Sequence, residues 1–168
     1  MASFGEVRTF TLRLRADIEA EAKTKPDACD WLRRRIAFYL EKELSQPVHL
    51  LGCFEEEIRG VLHVHGEFVV TNNELETARR ALRLAGGEWE KARQRQTHNH
   101  PYSPDEGWAS YCGKNLYLTS PFVRALLSRH GSPKLLTSYT GNPLFVSREL
   151  GQRAKVLFDA TRCRLLRR

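Results

Sequence analysis

A chain of 168 residues is long enough for a single domain with its own core and without disulfide staples. At 41% hydrophobic and 28% charged residues it reads as globular, and no apolar run approaches the ~18 residues that cross a bilayer. The net charge of +7 is uneven: residues 1–113 hold 16 Lys/Arg against 18 Asp/Glu, whereas residues 114–168 hold 11 against two, so the C-terminal third is the part that attracts polyanions, nucleic acid above all.

The opening MASFGEVRTF has no hydrophobic signal core, which predicts a cytoplasmic protein with no membrane partner. Residues 7–15 alternate, with Phe10, Leu12 and Leu14 on one side and Thr9, Thr11, Arg13 and Arg15 on the other, as in a half-buried strand. The polar stretch from Ala16 reads as irregular in part. Asp27 or Asp30 then caps a helix through residues 31–44, with Trp31, Ile36, Tyr39, Leu40 and Leu44 as its apolar stripe. Residues 48–57 and 61–70 are strand candidates joined at Gly60 into an antiparallel hairpin. Asn72 or Asn73 caps a second helix, which stops at Gly86-Gly87. Alternation over residues 88–97 suggests a strand and HNHPY a loop; Ser103, Pro104, Asp105 and Glu106 have the chemistry of a helix start. A short helix near residue 125, a turn-rich stretch and a final amphipathic helix from about Val146 complete the chain. Mixed elements without strict βαβ alternation predict an α+β fold on an antiparallel sheet. The four cysteines, Cys29, Cys53, Cys112 and Cys163, form no CxxC pair and read as reduced thiols.

Two patterns carry chemistry. In GVLHVHGEF, residues 60–68, strand alternation sets His63, His65 and Glu67 on one face and Leu62, Val64 and Phe68 on the other. Across the hairpin Glu55 and Glu57 share a face, so either can join the imidazoles around one ion. Two histidines and one carboxylate leave coordination positions open, which suits Lewis-acid work on a phosphate, with Mn²⁺ or Mg²⁺ as the expected ion. His49, His98 and His100 read as surface residues outside the hairpin. In the helix after Pro104, Tyr111 and Lys114 project from one side, with Trp108 three residues earlier. A phenol is a poor nucleophile at neutral pH, but a metal-bound phosphate and a nearby ammonium make its attack feasible.

Taken together, FEEEIRGVLHVHGEF and the later WASYCGKNL resemble the second and third motifs of the HUH endonucleases, most closely the single-tyrosine Rep initiators of rolling-circle replication. His63-Val64-His65 matches the His-hydrophobic-His core, Tyr111 to Lys114 the Tyr-x-x-Lys core, and Phe10-Thr11-Leu12 the weakly defined first motif. The resemblance implies a five-stranded antiparallel sheet flanked by helices, with residues 1–120 as the endonuclease core and 121–168 as a basic helical extension packed on the same domain. It further implies that Tyr111 attacks a phosphodiester of single-stranded DNA at an origin, leaving a 5′-phosphotyrosine and a 3′-hydroxyl, and that His63, His65 and Glu55 (or Glu57) hold the divalent ion. Arg13, Arg93, Arg95, Arg124 and Lys134 are candidate phosphate contacts, and a host replication helicase is a candidate partner. A eukaryotic viral origin would place the protein in the nucleus. The single motif tyrosine argues against two-tyrosine phage initiators, and no P-loop is present, so no nucleotide cofactor is expected. A relaxase or a single-strand transposase shares the chemistry, and a non-catalytic nucleic-acid-binding module is the rival from another class.

Overall fold

The structure is a computed structural model, described over residues 6–56, 62–103, 108, 112 and 143–165. These residues form strands β1 (Val7–Arg13), β2 (Leu50–Glu56), β3 (Leu62–Val69), β4 (Thr97–Pro101) and β5 (Leu144–Val146). The helices are α1 (Ala16–Lys23), α2 (Ala28–Leu44), α3 (Leu75–Ala85) and α4 (Arg148–Leu165). The strands make one sheet in the order β4-β1-β3-β2-β5 with every neighbouring pair antiparallel. The expected α+β class and five-stranded antiparallel sheet are what the chain forms.

Alternation along the strands divides the sheet into two unlike faces. Phe10 and Leu12 of β1, Leu50 and Phe54 of β2, Leu62, Val64 and Phe68 of β3, and Phe145 of β5 share a buried cluster with Ile18, Ala22, Leu32, Ile36, Leu40, Ala78 and Leu82 from the helices. α2 is set by Asp27, whose carboxylate accepts the Asp30 N–H at 2.8 Å, and its stripe of Leu32, Ile36 and Leu40 is fully buried. α3 presents Ala78, Ala81 and Ala85 beside Leu82, small side chains that let α2 and α3 pack closely. Gly52 and Gly66 face each other across β2 and β3, and the rings of Phe145 and Phe10 occupy the space their side chains would take.

Four local expectations change. The segment after Ala16 is helical: Ile18 and Ala22 are buried, and Glu19–Lys23 pairs at 2.8 Å along its outer side. The cap before α3 is Thr71, not Asn72 or Asn73. Thr71 and Glu74 form a capping box around a 3-10 turn, Asn72–Glu74, before the helix begins. Residues 88–97 do not form a strand, and HNHPY is not a loop; the strand is Thr97–Pro101, preceded by a 3-10 turn at Arg93–Arg95. The reason lies in Gln96, which is fully buried. Its side chain accepts the Trp89 N–H and donates to the Gly87 and Arg13 carbonyls, folding residues 87–96 back on themselves. The short β5 follows the stretch read as turn-rich, and the last helix starts at Arg148 rather than about Val146.

α4 begins two residues after Val146 and enters the fold through the buried Leu150, while Val156, Leu157 and Phe158 stand exposed. Among the described residues no helix is long and apolar enough to cross a membrane.

Candidate metal centre

The sheet face turned away from α2 and α3 carries the chemistry. Antiparallel register sets Glu55 of β2 directly across from His63 of β3, and His65, two residues on, lies between Cys53 of β2 and Thr11 of β1. The hairpin thus does what alternation required: all three side chains fall on one face, at neighbouring positions. One oxygen of Glu55, Oε2, lies 3.4 Å from Nε2 of His63 and 3.3 Å from Nε2 of His65. The two imidazole rings stand at 88° to each other with centroids 4.6 Å apart, so both nitrogens can point at one spot.

The donor set could hold a single metal ion. One carboxylate oxygen and two imidazole nitrogens lie within 4.8 Å of one another. Ligand atoms each about 2.1 Å from one ion sit about 3.0–3.4 Å apart at octahedral or tetrahedral angles, which matches the two measured separations. Among the described residues these three groups, from two neighbouring strands, are the ligand set.

His63 and His65 are 8% and 7% exposed. Part of the cover comes from Trp108. Its indole Nε1–H donates to the Gly66 carbonyl at 3.1 Å and its ring meets His65 edge-on, at 80° and 5.5 Å between centroids. Cys112, four residues later in the sequence, is also buried. On the β1 side Thr11 Oγ1 is 3.0 Å from His65 Nδ1. Glu67, next along the same face, is 4% exposed; burial pushes its carboxyl above the usual carboxylate range, and among the described residues its Oε1 has no hydrogen-bond partner.

The other expected site residues divide. Glu57, Tyr111, Lys114, Arg124 and Lys134 lie outside the described residues, as does Gly60. Arg13 is paired in register with His63, and its guanidinium donates to the Arg95 carbonyl at 2.8 Å, which brings Arg13 and the Arg93–Arg95 turn to the His63 end of the sheet. Arg93 and Arg95 are exposed there, with Arg93 also 3.7 Å from Glu88. His98 and His100 sit on β4, level with Thr11 and Thr9, and are exposed. Sequence reasoning missed the parts played by Thr11, Trp108 and Glu67. For Thr11 the available signal was its place among the polar residues of an alternating strand, on the side opposite Phe10 and Leu12.

No known protein-family model matches the chain, and neither curated proteins nor solved structures yield a match.

Proposed function

We propose that this protein is an HUH-type, metal-dependent endonuclease and strand-joining enzyme for single-stranded DNA, acting in rolling-circle replication. The observation that carries the reading is the meeting of His63 Nε2 and His65 Nε2 at one oxygen of Glu55. Glu55, His63 and His65 hold the ion, Mn²⁺ or Mg²⁺, which when bound supplies Lewis-acid polarisation of the scissile phosphate.

Tyr111 is the nucleophile. Its phenolic oxygen bonds to phosphorus, the bond to the 3′ oxygen breaks, and that oxygen takes up a proton to become a free hydroxyl. Attack of a 3′-hydroxyl on the phosphotyrosine reverses the step and joins strands. Lys114 favours the phenolate or neutralises charge on the phosphate. Support for bringing this helix to the site comes from Trp108, three residues before Tyr111, whose ring rests against His65. Arg13 and the Arg93–Arg95 turn supply positive charge beside His63, where a phosphate backbone would approach.

A nicking assay tests this. An end-labelled single-stranded DNA carrying the cognate sequence, selected from a random pool, is cleaved in Mn²⁺, left intact in EDTA and left intact by His63→Ala. A non-catalytic binding module would shift the same DNA without cutting it.

A further inference from the structure

We propose that Thr11 is a positioning residue for the cation site: its hydroxyl fixes the imidazole of His65 so that Nε2 faces Glu55, with Trp108 packed edge-on against the ring. This rests on the reading that Glu55, His63 and His65 take a divalent cation.

Thr11 stands directly opposite His65 in the β1–β3 register, and its Oγ1 lies 3.0 Å from Nδ1. His65 Nε2, at the far side of the ring, lies 3.3 Å from Glu55 Oε2. The two nitrogens of one imidazole thus face different strands, one towards β1 and one towards β2. An imidazole that binds a cation through Nε2 must carry its proton on Nδ1, and that proton needs an acceptor. Thr11 Oγ1 is placed to be one. A hydroxyl is also a donor, so the same contact serves when Nε2 carries the proton. Uptake of the cation then needs no rotation of the ring, only a change in which of Thr11 and His65 donates.

Rotation is opposed from elsewhere. Trp108 meets the ring edge-on at 80°, and its own indole is anchored to the Gly66 carbonyl, one residue along β3 from His65. A hydroxyl on β1 and an indole tied to β3 therefore fix both the torsion and the tilt of the ligand. The β1 residue opposite His63 in the same register is Arg13.

The experiment compares Thr11→Val, which keeps shape and β-propensity but removes the hydroxyl, with Thr11→Ser, which keeps the hydroxyl. Titration calorimetry with Mn²⁺ alone is expected to show about 10–100-fold weaker binding for Thr11→Val and near-complete recovery in Thr11→Ser. Equal affinity in Thr11→Val and the parent, or equal weakness in Thr11→Ser and Thr11→Val, overturns the proposal. A second readout is independent of the cation. In metal-free protein the nitrogen-15 shift of His65 Nδ1 is expected to move in Thr11→Val and to hold in Thr11→Ser. An unmoved Nδ1 resonance overturns the proposal. Parent protein that fails to bind Mn²⁺ while Nδ1 still responds refutes the cation reading instead.

Discussion

Glu55 and His63 occupy directly opposed positions on the β2–β3 hairpin, and Glu55 Oε2 lies 3.4 Å from His63 Nε2 and 3.3 Å from the second imidazole. Because the contact is fixed by strand register, each ligand can be removed without taking apart the core on the opposite sheet face. Metal binding and folding should therefore separate. Mn²⁺ at 100 times its dissociation constant is expected to stabilise the parent protein by about 2.7 kcal/mol, read as a rise in Tm that EDTA reverses. Glu55→Gln and His63→Ala should fold without metal and show no such rise.

Glu67 gives a pH dependence of definite sign. Burial raises its carboxyl pKa, so the folded protein binds that proton more tightly than the unfolded chain. The stability it contributes is full below the ordinary carboxylate range and is lost as pH rises through the raised native value. Glu67→Gln, which stays neutral, should thus be more stable than the parent near neutral pH. The gap should close on acidification, as followed by urea denaturation across pH.

Two glycines should respond oppositely to alanine. A Cβ on Gly66 would lie 2.5 Å from the Leu51 carbonyl oxygen and 2.6 Å from ring carbons of Phe10, in the middle strand of the sheet. Gly66→Ala should cost about 2–3 kcal/mol, seen as a lower denaturation midpoint at unchanged slope. Gly151, inside α4, has Val146 Cγ1 at 3.4 Å as the neighbour of its added Cβ. Gly151→Ala should stabilise by about 0.5–1 kcal/mol, because alanine loses less backbone entropy in a helix.

Which of these features the sequence disclosed follows from how local their causes are. β1, β2, β3 and α2 were legible because each sets its apolar side chains at regular spacing on the face that meets the shared core. The placement of His63 and His65 together followed from alternation alone. The choice of Glu55 as their partner needed the register of the hairpin, which the sequence leaves open by one step of two residues; the structure sets Glu55 across from His63. β4 was misplaced because Gln96, a polar residue, is buried to bind the backbone of Gly87, Trp89 and Arg13, contacts formed across a turn that no periodicity describes. β5 spans only Leu144–Val146, too short for a pattern, and is held by its pairing with Leu51, Gly52 and Cys53. Thr11 was visible as part of an alternating strand, yet its contact with His65 depends on how β1 is aligned against β3.

The most direct test of the account is to incubate the protein with cognate single-stranded DNA and Mn²⁺ and to map any covalent adduct by peptide mass spectrometry. The account predicts a 5′-phosphodeoxynucleotide mass on the peptide containing Tyr111, lost in Tyr111→Phe, in Glu55→Gln and in EDTA. Cleaved DNA with no adduct on that peptide, or an adduct on another residue that persists in Tyr111→Phe, would contradict it.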